Sequence, residues 1–242
     1  MAAIFCRVRR SSVPETSPGM KSTQYPRYAC IRRLLVCSMA LAASACVHAQ
    51  PSSSAESVPM PADRASAAVP IAKVQGRGVA LEAEFAYAAS KRVLTVGYRL
   101  HNLGDGPLAV FDRGDRHAVA TGRQKAGAIA APTVQTENGD VSLSHAASPL
   151  PRPAPTLPPT PLAIRVPAGA ETAGRFEFAI PGADAPKRLR WCLGVATFDD
   201  GDFNAPETIG EVELWRASFA VAERQQLVCT PWFDIAANAF SR

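Results

Sequence analysis

The chain has 242 residues, 47% of them hydrophobic and 19% charged, with six cysteines and a formal net charge of +5. Seven of its 26 Lys and Arg side chains precede Gln50, against only Glu15 of its 21 acidic ones, so 19 basic and 20 acidic groups remain beyond Ala49. A near-neutral body without a long basic run excludes the electrostatic footprint of nucleic-acid binding or of attachment to an anionic membrane surface.

Residues 1–49 read as an export leader. Arg32-Arg33 is followed by the apolar run Leu34 to Ala45, then by Val47-His48-Ala49, with small residues at the first and third positions before a cleavage point. The run is too short and too rich in alanine to span a bilayer as a mature helix. A start at Met20 gives this leader ordinary length, with Lys21, Arg27, Arg32 and Arg33 as its positive segment, and makes residues 1–19 a mis-assigned extension. Two cleavage readings stay open. Signal peptidase I cutting after Ala49 releases a soluble protein. Alternatively Ala43-Ser44-Ala45-Cys46 serves as a lipobox, and an acylated Cys46 anchors the chain.

Residues 50–76, with Pro51-Ser52-Ser53-Ser54 and few large apolar side chains, are expected to be a flexible linker. A β-domain is expected over 77–242. Val79, Leu81, Ala83, Phe85 and Tyr87 alternate with smaller or polar residues, and Leu94, Val96, Tyr98 and Leu100 do the same. A period of two marks half-buried strands. Asn102-Leu103-Gly104-Asp105-Gly106-Pro107 supplies a turn, and Leu108 to Phe111 a returning strand. Short strands are expected near Val119 and over Val141 to His145. Residues 149–161 hold seven prolines and form an irregular, Pro-rich loop. Strands then resume over Leu162 to Val166, Arg175 to Ile180, Lys187 to Phe198, Glu211 to Phe219 and Leu227 to Phe233, before a short helix from Ile235 to Phe240. Seven to nine strands, with turns between them and no convincing amphipathic helix, predict a single all-β, antiparallel β-sandwich.

The segment Tyr98-Arg99-Leu100-His101-Asn102, followed by Pro107-Leu108-Ala109-Val110-Phe111, resembles a hairpin of bacterial Ig-like domains. There a strand ends in Asn, turns, and returns through a proline and hydrophobic residues. The resemblance is to exported bacterial Ig-like β-sandwich proteins; it implies a fold and carries no functional residue across.

Cleavage at Ala49 leaves Cys192 and Cys229 as the only cysteines, and an exported compartment permits their disulfide. With Leu189, Trp191, Leu193 and Val195 facing the core, Cys192 faces outward. The bridge then straps the C-terminal segment across the outer face of a sheet. The pair lacks the C-x-x-C spacing of a redox site.

Four features bear on chemistry. Asp200, Asp202, Asn204 and Glu211 have the spacing of an EF-hand calcium loop, with Ala205 where the turn glycine belongs. Asp112, Asp115 and His117 follow the first hairpin and offer a second metal trio. Trp215 is expected to point outward with Glu211 and Glu213, as a stacking platform or under a C-terminal segment bearing Trp232. No nucleophile elbow, zinc-protease helix or phosphate-binding glycine loop is present, and no cofactor is implied. These features predict a periplasmic, non-enzymatic binding or interaction module for an unknown protein or small ligand of a Gram-negative envelope. The membrane enters only through the leader or a lipid anchor. The rival readings are an assembly chaperone or protease inhibitor acting through a strand edge, and a hydrolase with an unrecognised site.

Overall fold

The computed structural model describes residues 69–241. The leader, Cys46 with its lipobox, and most of the expected linker lie outside them. The linker boundary moves: β1 (Ile71–Gly76) is already a strand within the segment expected to be linker, because its inward Ala72 and Val74 pack beneath β2.

Two sheets share one hydrophobic core. The first has the order β1, β2 (Val79–Ala88), β3 (Val93–Asn102), β8 (Glu171–Ala179), all antiparallel. β2 and β3 form a hairpin in continuous register from Val79↔Asn102 to Ala88↔Val93. The hairpin expected across the Asn102–Pro107 turn does not form: the chain crosses there to the second sheet, where Leu108–Val110 finds its strand partners. Val79, Leu81, Phe85, Leu94, Val96 and Leu100 are sealed from solvent on its inner face. Each such side chain stabilises the fold by about 1.5–3 kcal/mol.

The second sheet is built around β9 (Arg188–Thr197). Its main path runs β10 (Phe203–Ile209), β11 (Val212–Ala217), β7 (Leu162–Val166), β4 (Leu108–Val110), β9, β13 (Phe233–Asp234), β14 (Ala239–Phe240). β12 (Gln226–Cys229) also pairs with β9, and the hairpin of β5 (Thr133–Glu137) and β6 (Asp140–His145) joins it through β6. Leu189, Trp191, Leu193 and Val195 enter the core, as their alternation predicts.

The fold is therefore all-β, with differences from expectation. Among the described residues fourteen strands form rather than seven to nine, and the second sheet is mixed, since β6 runs parallel to β9. The expected strand near Val119 is instead α1 (Arg116–Ala120), which Asp115 caps by accepting from the Ala118 N–H at 2.8 Å. A second short helix, α2 (Val221–Arg224), precedes β12. The expected terminal helix over Ile235 to Phe240 is replaced by the β13–β14 turn. Asp234 accepts from Ala237 N, Asn238 takes φ 49°, and Phe240 packs edge-on against Phe85 and Phe233. Those aromatic contacts outweigh the helix propensity of Ala236 and Ala237. Among the described residues no helix is long and apolar enough to cross a membrane.

Asn102 shows why the first hairpin ends in that residue. It is fully buried, and its amide nitrogen donates to the carbonyls of Gly106, Val166 and Pro167 at 2.9–3.1 Å. Its side-chain oxygen accepts from Gly104 N. One side chain thereby ties the turn to the end of β7.

Candidate functional site

Where β4 ends, the chain carries two charges into the interior. Asp112 has no exposed surface and Arg113 only 8%. Asp112 Oδ1 lies 3.1 Å from Arg113 Nε, an ion pair in which neither atom completes a well-directed hydrogen bond. The other carboxylate oxygen accepts from the Tyr98 hydroxyl, and Arg113 Nη1 donates to Gly127 O at 3.0 Å. Burial pushes the Asp112 carboxyl up, opposed by the Arg113 guanidinium and the Tyr98 hydroxyl. The Tyr98 phenol is driven far up by its own burial and by that carboxylate, and so stays a donor. Gly174, the register partner of Tyr98, makes room for it: a Cβ there would collide with the phenol oxygen.

The ion pair anchors a long loop over residues 112–131. Ala130 N donates to Asp112 O at 2.9 Å, and Gln124 Nε2 donates to Arg113 O at 2.7 Å. Gly114 has φ 66°, and a Cβ there would strike the Gln124 side chain. Arg116 N and Leu162 N tie the loop to Thr160 O and Gly114 O. His145, at the end of β6, completes the frame: its Nδ1 accepts from Trp191 Nε1 at 2.9 Å and its Nε2 lies 2.8 Å from Ala130 O. Because indole nitrogen only donates, His145 is neutral with its proton on Nε2, donated to that carbonyl. Burial pushes its pKa down.

Between this loop, the β5–β6 hairpin and the Pro-rich segment lies a cleft of about 440 Å³, within the size of small-ligand sites, roughly 300–1,000 Å³. Phe111 and Ile129 give it apolar wall, Thr133, Ser144 and Ser148 give it hydroxyls, and Arg123 and Lys125 stand on its exposed rim. Neither cation has an ion-pair partner among the described residues. Asp115, the acidic residue lining the cleft, is engaged by the α1 cap.

Of the features singled out in the sequence, Asp112 and Asp115 belong to this site, as ion-pair partner and helix cap; the others lie elsewhere. Cys192 and Cys229 form a disulfide, but not a strap across a sheet face. The two are register partners on adjacent strands, and Cys192 is buried. The calcium set is pulled apart. Asn204 lies at the start of β10 and Glu211 in the turn beyond its far end, with most of the strand between them. Asp202 is held by Ser218 and Arg224, whose hydrogen bonds keep its carboxyl below the usual range. Among the described residues no group of three or more His, Cys, Asp or Glu is placed to hold a metal, so the Asp112, Asp115 and His117 trio does not assemble either. Trp215 is half-buried in a second cluster outside the main core, edge-on to Phe198 at 4.9 Å. Trp232 does not cover it; that ring lies beneath the guanidinium groups of Arg188 and Arg190, 5.1 and 4.5 Å from its centroid.

The cleft itself carried little sequence signal. Its one readable sign is Asp112-Arg113, two charges directly following an inward-facing run, where solvated loop residues are the ordinary expectation. Comparison with protein families, with curated proteins and with solved structures finds no match for this chain.

Proposed function

We propose that this chain is an exported, Ig-like β-sandwich of the periplasm, acting as a non-enzymatic binding module whose ligand enters the cleft beside the 112–131 loop. The observation that carries this reading is the ion pair of Asp112 and Arg113. A buried, desolvated charge pair is an expensive way to hold a surface loop, and long connections that carry only one short helical turn are commonly functional. Two sheets on one core agree with a sandwich, to which the parallel β6–β9 pairing is an addition. The disulfide agrees with an oxidising compartment. Against a hydrolase stands the engagement of both ring nitrogens of His145, which leaves neither Ser144 nor Ser148 a general base from that residue.

Nuclear magnetic resonance shift mapping with small organic acids and alcohols, benzoate and isovalerate among them, tests the cleft. Perturbations are expected to cluster at residues 128–133 and 144–148 and to vanish in Ser148→Trp, which fills the cleft from an exposed position. Scattered perturbations, or ones that survive Ser148→Trp, overturn the reading. Export is tested by the mature N-terminus, expected at Gln50; a lipid-bearing Cys46 would establish the anchored form.

A further inference from the structure

The cleft does not stand alone: Thr133, which lines it, is also the first residue of β5. Among the described residues β5 pairs with β6 alone, so its other edge presents unpaired backbone groups. Natural sheets guard such edges with proline, lysine, bulges or charge. β10 has Pro206 and a register shift between Asn204 and Glu207, and β8 carries Glu171, Arg175 and Glu177 along its length. β5, Thr133-Val134-Gln135-Thr136-Glu137, has neither proline nor lysine and no shift in its pairing, and its one charge, Glu137, stands at the end away from the cleft. An unguarded edge thus runs directly into a cleft with two unpaired cations on its rim.

We propose that β5 and the cleft form one site for the C-terminal end of an extended peptide, which adds to β5 as a strand and places its free carboxylate between Arg123 and Lys125. This rests on the reading of the cleft as a ligand site. The direction follows from the geometry. β5 starts at the cleft and runs away from it, so a peptide whose C-terminus reaches the cleft runs antiparallel to β5. The carboxylate suits the rim because two cations line it and the acid lining the cleft, Asp115, is occupied by the α1 cap. Main-chain hydrogen bonds then supply affinity with little demand on sequence, while Phe111 and Ile129 offer an apolar lining to the terminal side chain.

The test uses fluorescein-labelled hexapeptides of Val, Thr and Ala, each made as the free acid and as the C-terminal amide. Fluorescence polarisation is expected to show the acid bound at least about tenfold more tightly, as removal of one partner of a charge pair implies. The double variant Arg123→Gln/Lys125→Gln, altered only at exposed positions, is expected to bring acid and amide to within about twofold of each other while its melting temperature is unchanged. Methylation of alternate peptide nitrogens is expected to weaken binding by about tenfold in one phase of the alternation and little in the other, the mark of a strand edge. Equal binding of acid and amide, or indifference to both methylation patterns, overturns the proposal. If benzoate and isovalerate still map to the cleft in that event, only the peptide assignment falls. If neither they nor the peptides perturb it, the binding reading falls as well.

Discussion

Trp191 Nε1 donates to His145 Nδ1 at 2.9 Å, joining the centre of β9 to the end of β6. The bond fixes the imidazole tautomer and aims its Nε2 proton at Ala130 O, so a core strand positions the far end of the 112–131 loop. The same indole packs on Tyr98, with ring centroids 4.8 Å apart, and Tyr98 donates to Asp112 at the loop's other end. Both ends of the loop are thus set from one side chain of the main core.

This arrangement predicts an acid sensitivity. His145 has its pKa lowered by burial, so the stability that its neutral form contributes is present above the unfolded value near 6.5 and is lost as pH falls through the lower folded value. Asp112 faces it with the opposite sign, since a raised carboxyl contributes below about 3.8 and loses that contribution as pH rises through its folded value. Urea unfolding between pH 8 and pH 4 is expected to show the difference between wild type and His145→Gln shrinking as pH falls below about 6.5. A difference that is constant with pH would remove His145 from this role.

Tyr98→Phe deletes the hydroxyl donated to a carboxylate that no water reaches. A loss of about 1–3 kcal/mol in unfolding free energy is expected. Adding Asp112→Asn should cost less in the Tyr98→Phe background than in wild type, because the two groups share one interaction. Simple additivity would contradict the hydrogen bond.

Asn102→Asp places a carboxylate where an amide nitrogen now meets three carbonyl oxygens. Loss of the donors and the added repulsion are expected to destabilise by more than about 3 kcal/mol, read by denaturant midpoint. A loss of only a few tenths would mean that the amide is not holding the hairpin to β7.

The disulfide closes a loop between positions 37 apart, which corresponds to about 4 kcal/mol in the chain-entropy model. Cys192→Ser/Cys229→Ser is expected to lower stability by an amount of that order, and peptide mapping of the oxidised protein to find the two residues linked. Two alkylatable thiols in native, oxidised protein would refute the bridge.

Legibility in the sequence followed the range of the interactions. β2, β3 and β9 were readable because the period of two is a local consequence of burying one strand face. The turn at Asn102 was readable because part of its chemistry, the bonds to Gly104 and Gly106, lies within a few residues; its crossing to the second sheet and its bonds to Val166 and Pro167 were not. The β6–β9 pairing left no trace, since a parallel partner is chosen by tertiary packing between segments far apart in the chain. The helical turn at Arg116–Ala120 and the C-terminal hairpin were misjudged for related reasons. Asp115 capping starts the first, and Phe240 docking on Phe85 and Phe233 overrides local helix preference in the second. The cleft was hidden most thoroughly, because residues 112–131 are rich in Gly, Ala and polar side chains and resemble a solvated loop until Tyr98 and His145 are brought to them.

The central claim is that this loop forms a preformed wall, held by the pair of Asp112 and Arg113, and amide hydrogen exchange tests it most directly. The Ala130 amide, bonded to Asp112 O, and the Gln124 amide, bonded to Ala118 O, are expected to be strongly protected in the wild type. In Arg113→Met both should exchange at least about tenfold faster, while the amides of β2 and β3 keep their relative protection. Exchange of Ala130 and Gln124 at the rate of a free peptide in the wild-type protein would contradict the account.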